Sequence, residues 1–149
     1  MASPYINRTY IDFAIRKAIN TDFTSVSDTG WTNQISLKNK SQLNFRILGG
    51  KTTISSTAAL LFQSDKYSQY FYSVSKDDAL DDRKEFQAKG GFAGIKLSVG
   101  STWRHDNIWI GFFTRYTNLN NASFENSPLV KTKSNLLVGL SISYIFLEK

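Results

Sequence analysis

The sequence predicts an all-β chain, an antiparallel up-and-down transmembrane β-barrel of the outer-membrane type. Three observations point there. Residues 134–146 read S-N-L-L-V-G-L-S-I-S-Y-I-F, with Leu136, Val138, Leu140, Ile142, Tyr144 and Phe146 on one face and Asn135, Leu137, Gly139, Ser141, Ser143 and Ile145 on the other. A period of two is the signature of a strand, and a bulky face opposite a small one suits lipid outside and a lumen inside. Five further stretches repeat the alternation, and no stretch approaches the ~20 apolar residues of a membrane helix. The intervening segments also sort by length, long, short, long, short, long, as short periplasmic turns alternate with long external loops. A soluble barrel gives the same alternation with inside and outside exchanged.

The first strand is expected within residues 5–17, where Thr9, Ile11, Phe13 and Ile15 oppose Arg8, Asp12, Ala14 and Arg16. A helix grouping Ile11, Ala14, Ile15 and Ala18 competes for the same segment. Residues 20–29 read as a long polar loop. In residues 31–48, Ile35, Leu37, Leu43, Phe45 and Ile47 oppose Gln34, Ser36, Lys38, Lys40, Gln42, Asn44 and Arg46. Asn39 and Ser41 interrupt the apolar side and leave room for a hairpin at 38–41. Gly49-Gly50 signals a tight turn. Ile54, Ala58, Leu60 and Phe62 mark a third strand at 52–62. Residues 63–89 read as aromatic strand extension around Tyr67, Tyr70, Phe71 and Tyr72, then a charged loop or single helical turn. The fourth strand covers 90–103, with Ala93, Ile95, Leu97, Val99 and Trp103 on one side. After a turn at 104–107, the fifth covers 108–119, with Ile108, Ile110, Phe112 and Tyr116 opposing Trp109, Gly111, Phe113, Arg115 and Thr117. Residues 118–133 form another long polar loop.

With 149 residues, a single barrel domain over 1–149 is the expectation, residues 1–4 and 147–149 being tails. Met1-Ala2-Ser3-Pro4 carries no charged and apolar leader pattern. The absence of cysteine excludes disulfides and thiolate metal sites. The formal charge of +6 is spread too evenly to point to nucleic acid. His105 sits in a turn without an adjacent serine, so no catalytic role is assigned to it. The cluster Asp77, Asp78, Asp81 and Asp82 lacks the glycine of a calcium loop. No catalytic residue, cofactor or metal is expected. The basic residues Arg8, Arg16, Lys38, Lys40, Arg46, Lys96 and Arg115 share the small-residue parity, which in a barrel lines the lumen, partly neutralised by Asp12. Such a lumen either favours anions or is plugged by internal salt bridges. The expected lipid-facing set is Leu136, Val138, Leu140, Ile142, Tyr144, Phe146, Ile108, Ile110 and Phe112. Trp31, Trp103, Trp109, Tyr144 and Phe146 fall near strand ends, where interfacial aromatics collect.

Ser127-Pro128-Leu129-Val130, Ser134-Asn135 and the closing Gly139-Leu140-Ser141-Ile142-Ser143-Tyr144-Ile145-Phe146 resemble the C-terminal part of the MipA/OmpV family of outer-membrane proteins. Tyr70-Phe71-Tyr72-Ser73-Val74 is similar to that family's aromatic stretch ahead of a polar loop. The resemblance covers roughly residues 10–146. It implies a place in the outer membrane of a Gram-negative bacterium, contact with outer-membrane lipid, and a non-enzymatic scaffold role, because the family's namesake binds a murein-cleaving lytic transglycosylase and a murein synthase. Two departures stand out. Family members are longer, and the family usually ends at the aromatic that Phe146 matches, whereas Leu147-Glu148-Lys149 follow here. Six strands fall short of the about eight that close a membrane barrel. The chain is therefore expected to be truncated, to gain strands from 63–86, or to close as an oligomer. Three functions follow: a scaffold, a small anion-biased porin-like pore, or a soluble barrel binding an apolar ligand.

Overall fold

The computed structural model describes residues 7–22, 24–43 and 46–146. It contains β1 (Asn7–Thr21), β2 (Val26–Gln42), β3 (Lys51–Gln63), α1 (Asp65–Tyr72), β4 (Gly91–His105), β5 (Ile108–Asn118) and β6 (Ser134–Tyr144). The strands form one antiparallel six-stranded sheet in the order β1-β2-β3-β4-β5-β6. Each neighbour pair is consecutive, the up-and-down topology expected. The sheet is open, with β1 and β6 at its two edges. The competing helical reading of the first segment is overturned, since Ile11, Phe13 and Ile15 pair with Leu37, Ile35 and Asn33.

The register gathers the alternating residues into two continuous faces. One carries Ile11, Phe13, Ile35, Leu37, Leu60, Ile95, Leu97, Ile110 and Leu140. These side chains stand open: Leu37 is 53% exposed and Leu140 is 71% exposed. The other face carries Asp12, Gln34, Ser36, Ala59 and Lys96, and there Ser36 is only 1% exposed. One face is thus apolar and open, and the other is small or polar where it is covered, over β2 to β4, the reverse of a soluble sandwich or barrel.

Several boundaries differ from expectation, each for a local reason. The first connection is 22–25, not 20–29. The Asp22 carboxylate accepts from the backbone N–H and hydroxyl of both Thr24 and Ser25, closing a tight turn. The polar residues on either side continue the ladder, with Asn20 opposite Ser27. The second connection is longer than Gly49-Gly50, because β2 ends at Gln42 and β3 begins at Lys51. Leu43 and Ile47 therefore lie beyond β2, as does Arg46. Asn44 and Phe45, placed there by the pattern, lie outside the described residues, as do residues 1–6, Phe23 and 147–149. The long-short alternation of loops consequently fails at its first two members. No hairpin forms at 38–41. Asn39 instead donates to Thr9 Oγ1 at 2.8 Å and Asn7 Oδ1 at 3.1 Å, so the polar interruption is a cross-strand patch near the strand ends.

The aromatic segment after β3 is a helix, not a strand extension. Ser64 caps it, accepting from Tyr67 N–H, and Asp65 sits in its first turn. α1 lies against Gly30, whose φ is +110° and where a Cβ would fall 2.5 Å from Ser64 Oγ. Residues 64–86 add no strand to the sheet; their isolated bridges, Val74↔Phe86 and Leu80↔Arg83, lie within the segment itself.

Candidate functional site on the small-residue face

The covered face is held by a chain of polar contacts running across four strands. Lys38 pairs with Asp12 at 2.9 Å. Ser36 donates to Asp12 Oδ1 at 3.3 Å, and Gln34 Nε2 donates to Ser36 Oγ at 3.2 Å. Lys96 Nζ in turn donates to Gln34 Oε1. Lys96 reaches from β4 to β2 because the residue between them is Ala59, which pairs directly with both Ser36 and Lys96. A larger side chain there would block the crossing. The same logic explains the glycines beside Phe113, which is opposite both Gly100 and Gly139. A Cβ on Gly139 would collide with the Phe113 ring. The small residues of this face are therefore space left for long neighbours to lie flat across the sheet.

Arg8, Arg16, Lys38, Lys40, Lys96 and Arg115 all share this face by register, opposite Lys40, Thr32, Tyr10, Arg8, Ala59 and Ser98 respectively. Arg46 does not join them. It lies past β2 and lines a cavity of ≈400 Å³ with Gly49, Lys51, Arg104, His105 and Asp106. Of the bulky set, Leu136, Val138, Leu140, Ile142 and Tyr144 share one face with Ile108, Ile110 and Phe112 by direct pairing, and Phe146 follows β6 with its ring 5.1 Å from that of Tyr144. Trp103 and Trp109 lie at the same end of the sheet, whereas Trp31 lies at the other, with the Lys17 ammonium 4.4 Å from its ring centre.

The loop end carries a structure that periodicity did not announce. Ala88, Ala93, Ala122 and Phe124 form a buried cluster, packed by Leu61, Tyr72, Phe86, Leu119 and Val130. Tyr72 and Phe124 stack with ring centres 3.9 Å apart and planes 13° apart. Burial pushes the Tyr72 phenol pKa up. Ser127 donates to the Tyr72 carbonyl at 2.6 Å, and Ala88 N–H donates to Ser73 Oγ at 2.9 Å. The two motifs that carry the family resemblance, 70–74 and 127–130, thus meet in one packing unit. It closes over the same face: Arg16, Gln34, Leu61, Thr117, Tyr72 and Phe124 line one cavity of ≈280 Å³. Gln63 Nε2 donates to the fully buried Ser68 hydroxyl at 2.8 Å, fastening α1 to that face. The acidic residues at 77–82 are exposed in the segment between Val74 and Phe86, where Arg83 donates to the Asp78 carbonyl. Ser64 before an acidic first turn was a readable helix-start signal. Nothing at the level of periodicity marks the contact between residues some fifty apart.

The family model for the MltA-interacting protein MipA matches residues 3–146. Outer membrane protein Omp26La of Vibrio anguillarum is 31% identical over 94 residues, 60% of this chain and 34% of that protein. Outer membrane protein OmpV of Vibrio cholerae serotype O1 is 30% identical over 94 residues, with the same coverage. The chain spans about a third of the length of these curated relatives. No solved structure matches it. With an up-and-down antiparallel sheet whose bulky side chains gather on one open face, and a family match along nearly its whole length, the chain belongs to the MipA family of outer-membrane proteins.

Proposed function

We propose that the chain forms part of a non-enzymatic outer-membrane barrel that acts as a scaffold for partners in the murein layer, a lytic transglycosylase and a murein synthase among them. The observation that carries this reading is the filled state of the small-residue face. Lys38, Asp12, Ser36, Gln34 and Lys96 are bonded to one another across it, and the Tyr72–Phe124 unit packs over its loop end. Such a wall is rigid and presents surfaces; the family description, an MltA-interacting protein, is consistent with a surface-presenting role. In this reading Leu136, Val138, Leu140, Ile142, Tyr144, Phe146, Ile108, Ile110 and Phe112 meet hydrocarbon. Six strands leave two edges that lipid does not tolerate. Further strands complete the cylinder, either from more of the same polypeptide or from a second copy. The even count makes the second copy geometrically sound: a copy rotated about the cylinder axis brings β6 antiparallel to β1. Co-purification of the membrane-reconstituted protein with an MltA-type lytic transglycosylase tests the scaffold. Retention at micromolar concentration supports it, and absence of retention against a barrel of unrelated family overturns it.

A pore is the second reading, favoured by one observation: Arg8, Arg16, Lys38, Lys40, Lys96 and Arg115 share a face with Asp12. Planar-bilayer conductance with an anion-selective reversal potential would support it; no conductance, or cation selectivity, would remove it. A soluble barrel binding an apolar ligand does not fit, because the bulky face is the open one and the family is one of outer-membrane proteins.

A further inference from the structure

On the open face the row of bulky side chains has a gap along β3. By alternation, β3 sends Ile54, Ser56, Ala58 and Leu60 to that face. Two small residues in succession leave about 20 Å of strand between Ile54 and Leu60 without a large side chain. The neighbours across both ladders are bulky: Ala58 lies between Leu37 and Leu97, and Leu60 between Ile35 and Ile95. The result is a furrow along β3, walled by β2 and β4. Two hollows, of ≈350 and ≈310 Å³, follow it and share Leu37 and Ala58. Each has the volume of a small-molecule site. The hollow nearer the loop end is walled by Ile11, Ile35, Leu60 and Ile95. The hollow nearer the turn end reaches Thr9 and Asn39. Asn39 Nδ2 donates to Thr9 Oγ1 at 2.8 Å, which leaves the Thr9 O–H to donate elsewhere. Ser56, opposite Asn39, adds a second hydroxyl. Because β3 is an interior strand, strands added beside β1 or β6 would not cover the furrow.

We propose that this furrow seats one acyl chain of a diacyl phospholipid, with the ester end toward Thr9, Asn39 and Ser56 and the chain tip toward Leu60. The proposal rests on the reading that the open face meets hydrocarbon. A flexible chain lying in the furrow touches apolar walls on both sides as well as the floor, whereas a chain on a flat face touches one surface only. The lipid's ester carbonyls accept, and the Thr9 and Ser56 hydroxyls donate. The polar patch at the end of the furrow thereby gains partners that bare hydrocarbon does not supply. The bulky face of a second copy offers branched side chains, not an extended chain with acceptors at one end.

The test uses the full chain refolded in dodecyl maltoside and titrated with dioleoyl phosphatidylethanolamine, the bound lipid being counted by native mass spectrometry. A saturable adduct of one lipid per chain is expected. Ala58→Phe, which places a ring where the two hollows meet, should weaken it at least tenfold. Thr9→Val, which keeps the shape and removes the hydroxyl, should weaken it several-fold. Ile142→Phe adds a ring to the same face three strands away and should leave the adduct unchanged. If Ala58→Phe does not fold, Ser56→Leu, which fills the turn-side hollow alone, takes its place with the same loss expected. A fluorophore on Leu140→Cys, read against brominated lipid chains, reports on the open face separately. Quenching there together with an undiminished adduct in Ala58→Phe overturns the furrow alone, whereas no quenching removes the membrane reading itself. Lipid uptake that does not saturate, an undiminished adduct in Thr9→Val, an equal loss in Ile142→Phe, or paired chains in place of a lipid adduct would also overturn the proposal.

Discussion

Replacing Ala59 by leucine attacks the one position on which the polar chain across the sheet depends. Ala59 is 3% exposed, between Ser36 and Lys96 in direct register. Overpacking a filled site costs about 1–3 kcal/mol. Pushing the Lys96 ammonium off Gln34 Oε1 gives up a charge-assisted hydrogen bond worth about 1.5–3 kcal/mol, roughly halved here because Lys96 is only half-buried. The combined expectation is about 2–4 kcal/mol, a fall of roughly 30- to 700-fold in the folding equilibrium constant. Ala58→Leu is the internal control. Ala58 is the adjacent residue, exposed between Leu37 and Leu97 on the other face. Leucine there adds apolar area to a surface that meets hydrocarbon, with a change within about 0.5 kcal/mol. Urea unfolding of the chain refolded in detergent, read by tryptophan fluorescence, measures both. If Ala58→Leu costs as much as Ala59→Leu or more, the packed side of the sheet has been misassigned.

Other expectations follow from particular contacts. Phe124→Ala, removing a ring that is 1% exposed and stacked on Tyr72, should cost about 3–5 kcal/mol of local stability and open the 119–133 loop to protease well before the sheet unfolds. Gly30→Ala places a side chain at φ +110° and 2.5 Å from Ser64 Oγ, so it should displace the start of α1 at a cost of order 1–3 kcal/mol, visible as lost hydrogen-exchange protection at Ser68 N–H. The Asp22 carboxyl is held below its ordinary value of 3.8, first by the Ser25 backbone N–H and then by Thr24 and the Ser25 hydroxyl. A depressed folded pKa contributes order above the unfolded value and loses it as pH falls through the folded one. The β1–β2 turn should therefore persist at pH 4 and loosen only well below it, with Asp22→Asn removing the pH dependence; an NMR titration of the Thr24 and Ser25 amides reads this directly.

Alternation made the strands legible because each faces a different medium on its two sides. Leu97 and Ser98 announce a strand whatever the loops do. The boundaries were not legible where that contrast stops. Asn20, Thr21 and Ser27 are polar on both faces, so the pattern ends while the ladder continues. Conversely, Leu43 and Ile47 keep the parity after β2 has ended. Tyr67, Tyr70, Phe71 and Tyr72 favour strands by propensity, yet Ser64 and the fit against Gly30 start a helix. The cations of the small-residue face could be assigned to a side by counting. Their bonding could not, because Lys96 meets Gln34 only through the register of three strands, and Arg46 keeps the right parity but sits in the connection beyond β2.

The claim that the bulky face meets hydrocarbon is open to a direct measurement, since the chain has no cysteine to interfere with labelling. Single cysteines at Leu37, Leu97 and Leu140, and at Thr57, Ser98 and Ser141, would carry a fluorophore in reconstituted vesicles whose lipid chains are brominated. The first three should be strongly quenched by the bromines and the last three weakly. Strong quenching at Thr57, Ser98 and Ser141 with none at Leu37, Leu97 and Leu140 would contradict it.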